Sequence, residues 1–401
     1  MTQTTLEKIF SDYVGSRSVF KKKETLTDQY IPDKIPHRED QINQIAKTLA
    51  PALRGERVSN MFLFGTVGTG KSVSVRHVTS ELEKRSENIK TLYINCKMKK
   101  ISDTEYRLLA ELARNLGLRV PATGLPTDQI YKMFFDVLDS KEQNVILILD
   151  EIDALVKKTG DEILYNMTRI NQDLKKTKLS IIGISNDVSF TENLDPRVKS
   201  SLSEEEVIFP PYNATQLKDI LIQRANIAFN SNTLEDGVIA KCAALAAQEH
   251  GDARKALDLL RIAGELAERE NKEKVTIDHI DKAEDKLDTD RVFSVVRTQP
   301  KQSQAVLAAV IRLMDDGQKN IETGDVFSVY EKICSNRGLK ILTQRRVSDL
   351  IAELDMLGII NARVVSKGRY GRTKEIRLLL GKTVLKKIKK TLEENQLLGK
   401  G

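Results

Sequence analysis

A glycine-rich segment directly after a short apolar run constrains this 401-residue chain more than any other feature. Residues 65–72 read Gly-Thr-Val-Gly-Thr-Gly-Lys-Ser, and they follow the apolar run Met61–Phe64. A strand that leads through such a loop into a helix turns backbone N–H groups towards a polyphosphate. Lys71 can place a positive charge beside the outer phosphates, and the Ser72 hydroxyl can bind Mg²⁺. The segment therefore predicts a nucleoside triphosphate site with Mg²⁺, formed by Gly65, Val67, Gly68, Thr69, Gly70, Lys71, Ser72 and Val73.

A second apolar run, Val145–Leu149, ends in the acidic sequence Asp-Glu-Ile-Asp. Unbroken apolar runs of this length are typical of parallel strands that are buried on both faces. An acid at the end of such a strand can hold the water shell of a metal ion, and the next acid can orient an attacking water. We therefore expect Asp150 to be a metal residue and Glu151 to be the general base of a hydrolysis reaction.

Short apolar runs alternate with helical patterns over the first half of the chain. Further runs lie at residues 91–95, 180–184 and 206–209, which predicts an α/β fold with a parallel sheet whose ligands bind at the carboxyl ends of the strands. After Pro211 the strand signal stops, and residues 212–285 read as helices only. The polar stretch 297–302 is interpreted as a linker. We expect a sheet domain over 1–210, a small helical domain over 211–296 and a third domain over 297–401.

The net charge of +7 is distributed unevenly. From Arg337 to Lys390 there are fifteen Lys or Arg residues and four acids, a surplus of +11, so the rest of the chain carries 7 − 11 = −4. A basic module on a weakly acidic body indicates a nucleic-acid partner. The sequence has no apolar run of membrane-spanning length and begins without a secretory signal. We expect a cytoplasmic, nucleoid-associated protein with no membrane partner.

The basic segment has the pattern of a helix followed by a two-stranded hairpin. Thr343 can cap the helix, and two apolar runs flank a basic, glycine-containing turn at residues 367–374. This combination predicts a winged helix, whose helix enters the major groove while the hairpin reaches phosphates or the minor groove. The expected buried stripe is Val347, Leu350, Ile351, Leu354 and Leu357, and the expected DNA contacts are Arg345, Arg346, Ser348, Lys367, Arg369, Tyr370, Arg372 and Lys374.

The order of these motifs resembles that of AAA+ ATPases, specifically the archaeal origin-recognition initiators, which are similar to both the origin recognition complex subunit one and the cell division control protein six of eukaryotes. Residues 182–187, Ile-Gly-Ile-Ser-Asn-Asp, resemble the sensor-one strand of the family. Residues 194–201 resemble its arginine-finger segment, and residues 251–257, Gly-Asp-Ala-Arg-Lys-Ala-Leu, resemble the start of its sensor-two helix. The resemblance implies that Asn186 and Arg254 contact the attacking water or the γ-phosphate, and that Arg197 reaches the nucleotide of a neighbouring subunit.

The resemblance further implies that the ligand is ATP or ADP, held beneath a helical lid. Tyr212 and Arg224 would contact the nucleotide from the lid, and Arg38 would lie on the adenine side of the pocket. An insertion at about residues 97–119, with a helix over 104–118, looks like the initiator-specific insertion that contributes to DNA contact in the family.

The activity implied by the resemblance is that of an ATP-dependent replication initiator. It would bind double-stranded origin DNA, meet other initiator copies there, recruit or load the replicative minichromosome-maintenance helicase, and use weak, Mg²⁺-dependent ATP hydrolysis as a switch. Two alternatives stay open: a clamp-loader-like or helicase-loading ATPase without sequence-specific DNA binding, and a regulator of transcription that joins a phosphate-loop ATPase to a winged helix. The inserted helix and the Asp195-Pro196-Arg197 segment favour the initiator.

Overall fold

The computed structural model describes residues 18–28, 30–98, 104–121, 124–187, 190–202, 205–318, 320–366, 372–378, 380 and 382–398. The chain forms two compact units that meet in sequence between Ile280 and Asp281. None of the described helices combines the length and the apolar character needed to cross a membrane.

The first unit contains a parallel sheet and ten complete α-helices within the described ranges. Its strands are β1 (Met61–Phe64), β2 (Ile89–Asn95), β3 (Gln143–Asp150), β4 (Thr177–Ser185) and β5 (Glu205–Ile208). Its helices are α1 (Glu39–Leu49), α2 (Lys71–Glu83), α3 (Glu105–Asn115), α4 (Thr127–Leu138), α5 (Ile152–Thr159), α6 (Glu162–Arg169), α7 (Pro196–Leu202), α8 (Ala214–Ala228), α9 (Val238–Gln248) and α10 (Ala253–Arg269), and α11 (Ile277–Thr298) continues into the second unit.

The sheet has the strand order β2-β3-β4-β1-β5, and all neighbouring strands are parallel. Alternate residues enter two cores: Phe62 and Leu147 belong to one, and Leu63 and Ile148 to the other. Helices cover both faces, which explains why the sequence of β3 is apolar without alternation. The predicted α/β class is confirmed, and the ends of β1, β3 and β4 share one edge of the sheet.

The inserted helix predicted after β2 is present as α3, with Thr104 as its N-cap. Its apolar side, including Leu108 and Leu112, belongs to the same core as Ile130 and Phe134 of α4. The insertion therefore extends the ATPase core with a packed helical pair, and its role in DNA contact stays a prediction.

An N-terminal segment, described at residues 18–28 and 30–38, runs along α8 in the opposite direction. Lys21 N donates to Ala228 O at 2.8 Å near the end of α8, and Gln223 Nε2 donates to Lys34 O at 3.3 Å nearer its start. The rings of Phe20 and Phe229 lie 4.8 Å apart. This course brings Arg38 to the phosphate-binding loop.

The second unit contains a three-stranded antiparallel sheet in the order β6-β8-β7. Its elements are α12 (Lys301–Asp315), β6 (Ile321–Glu322), α13 (Thr323–Arg337), α14 (Gln344–Met356), β7 (Ile360–Ser366), β8 (Arg372–Leu378) and α15 (Lys382–Glu394). The predicted helix and hairpin are confirmed as α14, β7 and β8, whereas β6, only two residues long, was not predicted.

Two sequence-based details differ in this unit. The expected linker at 297–302 is mostly helical, because α11 ends at Thr298 and α12 begins at Lys301 after Pro300. Leu357 is 42% exposed, because α14 ends at Met356 and its apolar face no longer extends that far, whereas Val347 and Leu354 are buried. The three domain limits stay a prediction.

Candidate functional site

The loop between β1 and α2 depends on glycines with left-handed backbone angles. Gly68 has φ 73° and Gly70 has φ 92°. A Cβ on Gly70 would lie 2.8 Å from Tyr212 Oη, so a side chain there would collide as well as strain the backbone. No side chain caps the start of α2 within the described chain, which leaves its first N–H groups available to an anion.

Lys71 lies at the first position of α2, with its ammonium folded over this loop. Nζ donates to Gly65 O at 2.6 Å and to Thr66 O at 2.7 Å. Burial lowers the pKa of Lys71 to about 8, although the nearby Asp150 carboxylate acts in the opposite direction. The positive charge of Arg254 lowers this pKa further.

Asp150 and Ser72, the two residues predicted to hold Mg²⁺, are in direct contact. Ser72 Oγ donates to Asp150 Oδ2 at 2.7 Å, and Asp150 is 6% exposed. Oxygen ligands of this kind, one hydroxyl and one carboxylate, suit the hard Mg²⁺ ion. Tyr93 of β2, which the sequence analysis missed, also donates to Asp150 Oδ2 through its hydroxyl.

Glu151 is the N-cap residue of α5 and has a left-handed backbone, φ 55°. For a residue other than glycine this conformation costs about 1–3 kcal/mol, and such residues concentrate at functional sites. The carboxylate is half-buried and forms an ion pair with Lys97, whose Nζ lies 3.6 Å from Oε2. The two adjacent acids therefore have different partners: Asp150, in the strand, accepts from Ser72, and Glu151, beyond it, pairs with Lys97.

The turn that carries Asn186 follows β4 directly. In the sheet register Ser185 lies opposite Phe64, the last residue before the phosphate-binding loop. Asp187 N donates to Ser185 Oγ at 3.0 Å, and that hydroxyl lies 3.2 Å from Asp153 Oδ1. The second aspartate of the Asp-Glu-Ile-Asp sequence therefore supports the turn, a role that the sequence analysis did not assign.

The lid meets the loop through the start of α10. Asp252 caps this helix by accepting from Arg254 N at 2.8 Å and from Lys255 N at 3.2 Å. Ala253 N donates to Gly68 O at 3.1 Å. Arg254 is exposed at this junction of lid and loop.

Arg38 and Tyr212 form a buried pair behind the loop. Arg38 is 2% exposed, and its Cζ lies 3.7 Å from the centroid of the Tyr212 ring. Its guanidinium donates to the carbonyl oxygens of Thr69, His37 and Pro210 at 2.8, 2.8 and 2.5 Å. These bonds tie the loop to the start of the lid. Arg38 thus supports the loop through guanidinium N–H groups that already bind backbone carbonyls.

Arg224 of α8 has one of the two buried side-chain polar atoms that lack a hydrogen-bond partner among the described residues; the other is Ser303 Oγ, in the second unit. Its guanidinium lies 4.6 Å from the Tyr30 ring, and Nη1 has no hydrogen-bond partner among the described residues. A buried N–H without an acceptor is expensive unless a ligand supplies one. Together with the uncapped start of α2, this donor fits a nucleotide between the lid and the sheet.

Arg197 lies apart from this cluster, in the first turn of α7. Its Nη2 is 3.1 Å from Asp195 Oδ2, and its guanidinium is 5.2 Å from the Tyr165 ring. The side chain is 68% exposed. Its expected action on the nucleotide of another subunit stays a prediction.

The second unit presents the predicted DNA-contacting helix α14, whose N-cap is Thr343. Arg345 and Arg346 are exposed, and Arg346 lies 3.5 Å from Glu353 in an ion pair. Lys374 Nζ donates to Ser348 O at 3.2 Å, which joins β8 to the helix. Of the remaining predicted contacts, Lys367, Arg369 and Tyr370 lie outside the described residues, and Arg372 is described by its backbone only.

Comparison with known proteins assigns these regions to families. Residues 55–188 match the family described as AAA domain, residues 218–285 the Cdc6 AAA+ ATPase-type lid domain, and residues 294–387 the CDC6, C terminal winged helix domain. The ORC1-type DNA replication protein of Thermococcus onnurineus is 54% identical over 386 residues, which cover 94% of this chain and 92% of that protein. The protein of the same name from Pyrococcus abyssi is 55% identical over 384 residues, or 94% and 91% of the two chains.

The chain belongs to the ORC1-type DNA replication proteins.

A solved structure supports this membership. The Aeropyrum pernix ORC1 protein in complex with DNA is 45% identical, with a TM-score of 0.82 over 94% of this chain and 99% of that one. The sequence-based resemblance and the fold class, an AAA+ core with a lid and a winged helix, are thus confirmed. As a member of the ORC1-type proteins the chain is an AAA+ ATPase, whereas the roles of its individual site residues stay predictions.

Proposed function

We propose that this ORC1-type protein is an ATP-dependent initiator that binds double-stranded origin DNA and helps to recruit or load the replicative minichromosome-maintenance helicase. The observation that carries the proposal is the likeness to the Aeropyrum pernix ORC1 protein in complex with DNA, which covers 94% of this chain. That range includes both compact units, so one chain combines the phosphate-binding loop with the winged helix.

ATP would lie between the sheet and the lid. Lys71 and the N–H groups at the start of α2 would bind the phosphates, and Arg224 would direct its unpartnered Nη1 at the nucleotide. Ser72 and Asp150 would hold Mg²⁺. When bound, the ion would neutralise charge that develops on the phosphates during hydrolysis.

The remaining residues expected to be catalytic would approach the outer phosphates from three sides. Glu151 would accept the proton of the attacking water, and Asn186 would orient that water from the end of β4. Arg254 would add positive charge from the lid, and Arg197 would do so from another initiator copy on the DNA. Because Arg254 belongs to α10, ATP and ADP would hold the lid differently, and slow hydrolysis would act as a switch.

The winged helix would contact the DNA duplex through two elements, its helix and its hairpin. Arg345, Arg346 and Ser348 would enter the major groove with α14, while Lys367, Arg369, Tyr370, Arg372 and Lys374 would contact phosphates or the minor groove. The surplus of basic residues in this segment supports an interaction with a strong electrostatic component.

The proposal is tested by footprinting the purified protein on duplex DNA from its own genome, in ATP and in ADP. We expect protection at a few sites near replication starts and a different protection pattern in the two nucleotides. Protection spread over promoters would instead support a transcription regulator. Absence of sequence-selective protection would support a loading ATPase whose winged helix binds protein.

A further inference from the structure

One tyrosine outside the motifs described above touches the acid that is proposed to hold Mg²⁺. The hydroxyl of Tyr93, on β2, donates a hydrogen bond to Oδ2 of Asp150. The same oxygen accepts a hydrogen bond from Ser72 Oγ at 2.7 Å. A carboxylate oxygen has two lone-pair positions, so these two donors occupy Oδ2 and leave the acceptor capacity of Asp150 on Oδ1.

The Tyr93 ring is itself held by the helix that follows the phosphate-binding loop. Arg76 Cζ lies 3.9 Å from the ring centroid, a distance at which a guanidinium is attracted to the aromatic face. Arg76 follows Ser72 by one turn of α2, so both residues lie on the same face of the helix. Helix α2 therefore contacts the Tyr93–Asp150 pair twice, once at each partner.

The tyrosine is also suited to remain a donor. A phenol hydroxyl carries one proton that it can donate, and here the geometry directs that proton at Asp150 Oδ2. Donors of this kind, fixed behind a metal-binding carboxylate, orient the oxygen that faces the ion.

We propose that Tyr93 is a positioning residue for Mg²⁺, which holds the Asp150 carboxylate so that Oδ1 faces the ion. The inference rests on the proposed function, since it requires that ATP binds here with Mg²⁺. Tyr93→Phe removes the hydroxyl and leaves the ring on which Arg76 stacks, so it isolates the hydrogen bond from the packing.

The test measures binding of a fluorescent ATP analogue, first in EDTA and then with increasing Mg²⁺. For Tyr93→Phe we expect unchanged analogue affinity in EDTA. The Mg²⁺ concentration that gives half of the maximal change in analogue binding should rise by about tenfold, because losing the hydrogen-bond partner of a metal ligand weakens metal binding by about 10–100-fold. Mn²⁺ binding to the nucleotide-loaded protein, followed by electron paramagnetic resonance, should weaken by a similar factor.

Two further variants control the interpretation. Tyr106, on α3, has a hydroxyl that donates to Pro121 O at 3.2 Å. Tyr106→Phe removes this hydroxyl, and its Mg²⁺ requirement should match that of the wild type. Arg76→Met keeps the Tyr93 hydroxyl but loses the stacked cation, and its Mg²⁺ requirement should rise by a smaller factor than that of Tyr93→Phe.

The outcomes separate the two proposals. A normal Mg²⁺ response in the wild type with an unchanged requirement in Tyr93→Phe would overturn the positioning role alone. Analogue binding that ignores Mg²⁺ in the wild type as well would overturn both the positioning role and the Mg²⁺-dependent part of the proposed function.

Discussion

Lys71 in the first unit and Arg345 in the second are both basic residues in the first turn of a helix, but their surroundings differ. Lys71 is 5% exposed, and two backbone carbonyls hold its ammonium in place. Arg345 is exposed to solvent. A buried charge acts through fixed geometry, because its few partners are strong and cannot be replaced by water. An exposed charge acts mainly as one contribution to a summed and salt-screened field.

This comparison predicts abrupt losses of function in the first unit and graded losses in the second. The largest effect is expected for Glu151→Gln, which keeps the shape of the side chain but removes its basicity. Turnover should fall by about 10²–10⁴-fold with nucleotide binding preserved, because general-base catalysis supplies about that factor. Phosphate release under single-turnover conditions measures the change, with Glu81→Gln on the outer side of α2 as the control. Normal hydrolysis would place the base elsewhere.

Lys71→Ala should weaken triphosphate binding by about a hundredfold or more, because it removes a desolvated positive charge from the phosphates. Calorimetric titration with ATP measures the loss. Lys84→Ala provides the matched control, since Lys84 follows the same helix and pairs with Glu81 at the surface. Tight binding by Lys71→Ala would exclude the loop as the phosphate site.

Arg369→Ala combined with Arg372→Ala should weaken DNA binding and reduce the slope of log affinity against log salt by about 2, since each lost phosphate contact contributes about 0.9. ATP affinity should not change. Lys386→Ala with Lys390→Ala removes the same charge from exposed positions of α15 and should leave the slope nearly unaltered. Equal effects of both pairs would show that net charge, and not the wing, determines affinity.

Arg345→Ala and Arg346→Ala test whether the second unit also contains fixed geometry. Arg346 is partly neutralised by Asp349, 3.8 Å away, and by Glu353. We therefore expect Arg345→Ala to cost more specific DNA affinity, by about 1–3 kcal/mol if it contacts a base, and Arg346→Ala to cost less. Competition binding against nonspecific DNA distinguishes the two. The reverse order would mean that DNA displaces the acids from Arg346.

The smallest effect concerns the pH dependence of ATP binding. Burial lowers the pKa of Lys71 from 10.5 to about 8 in the free protein. The free-energy cost of burying the charged ammonium is therefore fully present below about pH 8 and falls as the pH rises and the group loses its proton. Bound phosphate favours the charged form, so ATP binding should take up a proton above about pH 8, and its affinity should fall as the pH rises further. Calorimetry at about pH 9 in two buffers of different ionisation enthalpy measures the uptake. Any ATP binding that remains in Lys71→Ala should occur without this proton uptake.

Much of the site could be predicted because its residues follow strand ends in fixed order. The loop 65–72, Asp150 and the turn at Asn186 each follow a strand of one parallel sheet, and parallel strands bring their carboxyl ends to the same edge. The same reasoning could not find Tyr93, because a tyrosine inside a strand carries no signal of its contact across the sheet. Nor could it predict that the guanidinium of Arg38 binds three backbone carbonyls.

The sequence by itself determined the fold class, the family and the position of the phosphate-binding loop, because these depend on local spacing and on apolar periodicity. Only the tertiary structure decided which side chains share an atom. Ser72 and Tyr93 lie 21 positions apart in the sequence and still donate to the same oxygen of Asp150. Such contacts arise from strand order and helix packing, which bring distant residues within hydrogen-bond distance, and no short-range pattern in the chain records them.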